Sequence, residues 1–494
     1  MCLETVQSQP KRPRWRRRLK WALCLLGFLP AAALVAYGTF RWMASGDDPF
    51  DVAAFVSYTL PDEQNAFTYF RKAEKVYVGE DENSVRVIVA GSMPPERRDK
   101  FWDSVEETAK GHWSRASPEV RHWIGENRAA LDEFERGSCC TESQEIAPDT
   151  ASAQPIQPFI FGALRACGQL VAVDACRLTA EGHLREAWAR YRSLLRAGRL
   201  LSVHGSDVGL LVGASFTELG FSGATHWAAD KRVGADDLRE ALRDVQAVQA
   251  MPLRPSDTIK LIYLVVRDLA DKDVADGTQL PRWVQLTGYP AHLKQSARLV
   301  VGNLLTQVDR PRCQRTAVHP GKFGLFKLDA ASAKDGRRPP EEIERFAVSS
   351  AEDVATNVHW YIPIAVQIGL YDPEPSLNLL HVLYESADRA QMRLSGLELA
   401  LALQLHYRER HEFPASLGQL VERGYLKSIP IDTFGKGEPF RYRRESPLDR
   451  GATLWSVGPD GIDQDGMKTE RWWEYPGDWV ERISVPGTSE PASK

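Results

Sequence analysis

The sequence predicts a mainly α-helical protein with a transmembrane helix near its N-terminus and a small C-terminal α+β module with antiparallel strands. Three observations carry that reading. The run from Trp21 to Phe40 contains no charge, long later stretches repeat apolar residues at helical spacing, and the pattern changes after Pro414 to short aromatic and β-branched runs divided by turn residues. A chain of 494 residues also exceeds one ordinary core.

The N-terminal element comes first. "KRPRWRRRLK" (Lys11 to Lys20) carries seven Lys/Arg and leads directly into "WALCLLGFLPAAALVAYGTF". Twenty apolar residues span roughly 30 Å as a helix, enough to cross a bilayer. Trp21, Tyr37 and Trp42 sit near the two ends, where amphipathic rings favour the interface, and the basic cluster holds the N-terminus in the cytoplasm. A cleaved signal peptide would have a shorter apolar region and a small-x-small exit, whereas this run leaves through "TFRWMASG". Pro30 is tolerable within a membrane. The expected division is a basic cytoplasmic tail (1–20), a transmembrane helix (21–42) contacting the lipid bilayer, a helical exported body (47–395), and a C-terminal module (396–485). The location expected is the inner membrane, with the bulk of the chain in the periplasm.

Charge separates the two sides. Residues 1–20 hold seven Lys/Arg and one acid, Glu4, so the whole-chain −4 leaves −10 beyond residue 20. That acidic remainder has no electrostatic footprint for nucleic acid. Beyond the span, Cys139, Cys140, Cys167, Cys176 and Cys313 would meet an oxidising compartment, where disulfides are permitted. Five is odd, the adjacent Cys139 and Cys140 can each bridge to a different helix, and buried free thiols are the competing reading. No CxxC occurs, so zinc and thioredoxin chemistry are not suggested.

Within the body, "PDEQNAFTYFRKAEKVY" offers Pro61 and Asp62 as a helix start, with Ala66, Phe67, Phe70 and Ala73 on one face. Helices follow over Glu96 to Lys110 and Pro118 to Glu135, then an irregular Ser/Pro/Thr-rich link. "AEGHLREAWARYRSLLRAG" (Ala180 to Gly198) aligns Leu184, Trp188, Tyr191 and Leu195. Its "EGxxxxAxxxY" pattern resembles the turn and second helix of a tetratricopeptide unit, but the pattern does not return at that family's period of about 34 residues, so a single helical hairpin is expected. "GADDLREALRDVQAV" adds a helix capped by Asp236 or Asp237, with Leu238, Ala241, Leu242 and Val245 inward. Helices continue from about Ser256 to Val308, an irregular excursion follows over 315–346, and a last long helix runs toward Arg410 with Gly396 as its weak point.

After Pro414, "PFRYRRE" and "ATLWSVG" read as strands, leading into "LWSVGPDGIDQDG" (Leu454 to Gly466). This order resembles the C-terminal region of the major pseudopilins of bacterial type II secretion. The matching residues are Leu401 to Tyr407, Phe413 and Pro414, Tyr425 and Leu426, Pro430, Asp432, Phe434, Gly435, Tyr442, Trp455, Ser456, Gly458, Asp460 and Gly461, over about 85 residues. The same module resembles the C-terminal ends of long membrane-anchored bacterial proteins that carry it behind a helical region. "RRLKWALCLLGFLP" lacks the processed glycine and early glutamate of a pseudopilin, and some 360 residues separate span from module. Assembly into a pilus is therefore not expected.

Pseudopilin loops of this kind commonly hold calcium, so the resemblance implies Asp460, Asp463 and Asp465 as metal ligands and calcium as the cofactor. The spacing is not that of an EF-hand: with Asp463 and Asp465 at its third and fifth positions, Trp472 falls at the twelfth. The alternative is two consecutive β-turns, at Pro459 to Gly461 and at Asp463 to Gly466.

Catalytic motifs are missing. "HYRERHE" places His406 and His411 five apart rather than four, "GKGEPF" lacks the phosphate-loop frame, and no GxSxG elbow occurs. The expected function is a membrane-anchored, non-catalytic binding or scaffold component of the cell envelope, with an envelope protein as partner. Two alternatives stand beside it: a membrane-anchored periplasmic hydrolase whose site is assembled from distant residues, and an accessory factor of type II secretion.

Overall fold

The computed structural model describes residues 48–79, 95–145, 159–264, 374–435, 437–445, 451–459, 461–467 and 477–486. The expected transmembrane helix (21–42), the excursion at 315–346, Cys313 and Asp460 lie outside them. Among the described residues no helix is long and apolar enough to cross a membrane. The chain divides into two compact units, Met1–Asp51 with Val266–Leu299, and Val52–Val265 with Val300–Lys494. Only residues 48–51 of the first unit are described. The second unit is mainly helical with a small antiparallel sheet.

Helix α1 (Val52–Ser57) is followed by α2 (Ala66–Val76). The start expected at Pro61 comes later because residues 61–64 first close a turn, Gln64 N–H donating to Pro61 O at 2.9 Å. Asn65 then caps α2 through its side chain. Helix α3 spans Pro95–Ala109. The single helix expected over Pro118 to Glu135 is two, α4 (Pro118–Glu126) and α5 (Arg128–Cys139), broken at Asn127. Asn127 is fully buried, and its carboxamide bonds both Val78 N–H and Val78 O at 2.7 Å. A strap distant in sequence thus captures the side chain that marks the break.

Next come α6 (Phe159–Glu181), α7 (Leu184–Leu200), α8 (Asp207–Ala229) and α9 (Ala235–Ala250), then helical residues 255–264 and the long α10 (Glu374–Arg410). The α6–α7 hairpin turns at Gly182, whose φ of +90° suits glycine. Asp237 accepts from Gly234 N–H at the start of α9, as its capping role requires.

Two apolar cores share the middle helices. One joins α2 to α5 with Leu194, Ala197 and Leu200 of α7 and Phe216 of α8; the other joins Trp188, Tyr191 and Leu195 of α7 and Phe221 and Trp227 of α8 to α9, α10 and the C-terminal strands. Helices α7 and α8 therefore each bury two faces. Their backbones touch where Gly198 meets Gly213: a Cβ on Gly213 would lie 2.6 Å from Gly198 O.

After α11 (Gly418–Glu422), strands β1 (Arg441–Arg444), β2 (Ala452–Ser456) and β3 (Trp479–Ile483) form an antiparallel sheet in the order β1-β2-β3. Leu454 pairs with Tyr442 on one side and Glu481 on the other. β3 is an addition to the two strands read from the sequence. Gly396 does not break α10; it makes a notch there, with the Trp479 ring 2.8 Å from where a Cβ would stand.

Candidate functional site

The C-terminal loop builds from β2 outward. Asp432 is fully buried and accepts from Phe434 N–H (3.0 Å), the Ser456 hydroxyl (2.6 Å) and Val457 N–H (3.0 Å). Burial pushes its carboxyl up in pKa despite those donors. Asp463 is exposed but engaged: Oδ1 accepts from Trp455 Nε1 and Asp465 N–H, both at 3.0 Å, and Oδ2 from Arg441 at 3.2 Å. Burial opposes ionisation of Asp463, yet those three donors hold its pKa below the usual carboxylate value.

Asp465 is exposed at a φ of +58°. Gly461 N–H donates to Gly458 O and Met467 N–H to Gln464 O, so the described loop residues do form turns. The residue that fastens them is Asp478, which accepts from Gly466 N–H at 2.7 Å and from Gln464 N–H. Asp478 was not among the expected site residues, since it lies beyond the turn motif itself. Among the described residues no group of three or more His, Cys, Asp or Glu side chains is placed to hold a metal ion. Asp463 and Asp465 do share one loop and offer the hard oxygen atoms calcium favours, although a cation at Asp463 would displace Arg441 from Oδ2.

A second cluster, which sequence reasoning missed, forms where the α7–α8 loop meets three other segments. His204 adopts φ +45°, an uncommon conformation for a non-glycine residue. Its buried ring stacks on Tyr58 (centroids 4.6 Å apart, 22° between planes) and packs against Phe55 at 5.7 Å. Nδ1 lies 3.5 Å from Asp257 Oδ2 and has no hydrogen-bond partner among the described residues. Asp257 Oδ1 in turn meets Lys260 Nζ at 3.2 Å. Burial pushes the imidazole pKa down, against the pull of Asp257.

Glu145 crosses the same loop. Its N–H donates to His204 O at 3.2 Å and its Oε2 accepts from Ser206 N–H at 2.8 Å. Burial pushes its carboxyl up to about 7, while the bonds from Ser206 act the other way. Tyr58 donates to Glu142 Oε2 at 2.5 Å, and burial followed by that bond pushes the phenol up to about 12. A buried imidazole 3.5 Å from a carboxylate is an arrangement able to exchange protons. The only local sequence signal is the "HGS" turn at 204–206.

The remaining expectations resolve locally. Cys139, Cys140, Cys167 and Cys176 are free thiols, the latter two buried on α6. His406 Nδ1 meets Glu412 O at 2.9 Å, whereas Glu409 accepts from Arg239 and Tyr425; neighbours on the helix thus serve separate contacts.

The Glu145 carboxyl predicts a pH dependence. Its ordinary pKa of 4.5 rises to about 7 in the fold, so between those values the native state binds more protons than the unfolded chain. Stability fully present below about 4.5 is lost as the pH rises toward 7, by roughly 3 kcal/mol. His204 acts oppositely, because its lowered pKa removes stability as the pH falls below its ordinary value of 6.5. Urea unfolding of wild type and Glu145→Gln at several pH values isolates the carboxyl: the wild-type minus variant difference should fall across this window. A flat difference would contradict this linkage. Comparison with known proteins adds no relative: no family model, no curated protein and no solved structure matches the chain.

Proposed function

We propose that the protein is a single-pass, membrane-anchored envelope component that binds another envelope protein without catalysis and uses the C-terminal module for that contact. The observation carrying this reading is the placement of exposed apolar side chains. Among the described residues four large ones are exposed, Val76, Ile431, Ile462 and Met467, and three of these belong to the module. Ile462 and Met467 sit on the loop fastened by Asp478 and Trp455, so docking there requires little ordering of the chain. The anchor rests on the apolar run at 21–40, and the acidic remainder supports a partner other than nucleic acid.

Photo-crosslinking side chains placed at Ile462, Met467 and a control position, Glu240, test this in intact membranes. The expected result is a discrete adduct from the first two alone, in the carbonate-resistant membrane fraction, lost when the other position is changed (Met467→Asp with the probe at 462, Ile462→Asp with the probe at 467) in chains of unchanged thermal stability. Adducts equally strong from Glu240, or a chain released by carbonate, would sink the proposal.

Calcium belongs to the same reading, with Asp460, Asp463 and Asp465 as ligands that would stiffen the loop. Calorimetric titration of calcium should give saturable heat in the wild type and none in the triple-alanine variant. Absence of heat in both leaves the loop as turns.

The His204 cluster favours a second reading, a membrane-anchored hydrolase, because Asp257 Oδ2 and the Tyr58 ring both meet one buried imidazole, while Glu145 braces the loop through His204 O and Ser206 N–H. This predicts turnover across a panel of activated esters that falls at least about a hundredfold in a folded His204→Gln variant. Equal background rates for both chains would remove this reading.

A further inference from the structure

Two adjacent cysteines lie at the end of α5, where two surface grooves meet. Cys139 is the last residue of the helix and is exposed; Cys140 caps it, its N–H donating to Gly137 O at 3.1 Å. The larger groove, about 790 Å³, is lined by both cysteines together with Glu63, Tyr69 and Asp132. The smaller, about 300 Å³, reaches Cys139 from the other side past Arg192 and Arg196. Cys139 is the thiol common to both grooves.

The local electrostatics divide the two thiols. Helix C-terminal carbonyls lack intrahelical donors, and here Arg196 of α7 supplies them, donating to Ser138 O at 2.6 Å, Cys139 O at 3.5 Å and Cys140 O at 2.9 Å. The guanidinium fixes the backbone of the pair and brings positive charge to it. Cys140 is half-buried with Sγ 3.8 Å from Arg136 O, and burial, then the neighbouring Cys139, push its thiol up against the effect of Arg196. The exposed member is therefore the more accessible attacking group, and burial disfavours the thiolate of its neighbour.

The larger groove also has a sign. Arg136 pairs with Glu133, and Glu135 with Arg190, leaving Glu63 and Asp132 exposed without an ion pair among the described residues. A cationic group seated there meets two uncompensated carboxylates.

We propose that Cys139 is a thiol–disulfide exchange site whose substrate is a disulfide flanked by positively charged groups. The Cys139 thiolate attacks one sulfur of the incoming disulfide, forming a new S–S bond while the old one breaks and its electron pair leaves on the other sulfur as a thiolate. The Cys139 sulfur is oxidised to the disulfide level and the leaving sulfur is reduced to thiolate, so the incoming disulfide is itself the oxidant and the step balances. Resolution by Cys140 needs its thiolate and closes a strained ring between adjacent residues, so the mixed disulfide is the product that accumulates. This site lies on the helical body and does not depend on the role proposed for the C-terminal module.

The test uses the full-length chain with two probes of opposite charge, cystamine and oxidised glutathione, followed by intact mass and peptide mapping. The expected result is that, among Cys139, Cys140, Cys167 and Cys176, the adduct forms on Cys139 alone, about fivefold faster with cystamine at low ionic strength, with the gap closing in salt. Cys139→Ser should abolish the adduct and Cys140→Ser leave its initial rate unchanged. Glu63→Gln with Asp132→Asn, both on exposed side chains, should erase the preference between probes while Cys139 still reacts. Modification first at Cys140 or Cys167, no adduct in the folded chain while the urea-unfolded chain reacts, or equal rates for the two probes would overturn the proposal.

Discussion

The contact between the backbones of Gly198 and Gly213 governs the arrangement of everything around it. Two helices that cross this closely set backbone against backbone, with Thr217 Oγ1 and Leu201 Cβ beside the contact, so each can direct its larger apolar residues to both sides. Helix α7 does so with Trp188 and Tyr191 toward one core and Leu194 and Leu200 toward the other. The α7–α8 pair is consequently a common wall. The helices before it and the elements after it fold against opposite faces of one support, which explains how a body without an internal repeat still forms continuous cores.

The C-terminal sheet is tied to that wall through α10. Trp479 of β3 fills the notch at Gly396, and Arg393 lies 4.9 Å from the ring centroids of both Phe221 and Trp479 while pairing with Glu218. A cation held between two aromatic faces joins α8, α10 and β3 in one contact. The module identified by its turn and strand pattern thus shares a core with the body. Its loop projects exposed Ile462 and Met467 from a base that is already ordered, which is the property a contact surface needs.

Elements with a regular local period were legible: α2, α7, α9 and the buried positions Leu238, Ala241, Leu242 and Val245 follow from 3.6-residue spacing. The break at Asn127 was not, because its cause is the Val78 strap some fifty residues away. β3 was not, since "WVERI" is short and carries two charges, and its identity as a strand comes from pairing with β2. The turns around Asp463 were readable from glycine and aspartate, whereas Asp478, which fastens them, had no local signal. Tyr58, Glu145, His204 and Asp257 come together only through tertiary packing, so no motif announces them. The cysteine pair shows the intermediate case: adjacency is visible in the sequence, but the grooves and the Arg196 clamp are not.

Buried polar groups in this fold separate by whether their bonding is complete. Asp432 receives three donors and sits on ordinary backbone; its burial is the cost of closing a turn against β2, and nothing is left over for a ligand. His204 differs on each point. A non-glycine residue at positive φ costs on the order of 1–3 kcal/mol, while a ring stack such as that with Tyr58 returns about 0.5–1.5 kcal/mol. Its buried Nδ1 lies 3.5 Å from Asp257 Oδ2 and has no hydrogen-bond partner among the described residues. The local terms therefore run against stability at His204, whereas three donors offset part of the desolvation of Asp432. The imidazole faces Asp257 on a strained backbone, whereas Asp432 rests on backbone that carries no such strain. That asymmetry is the physical ground for keeping the proton-exchange reading alongside the binding one.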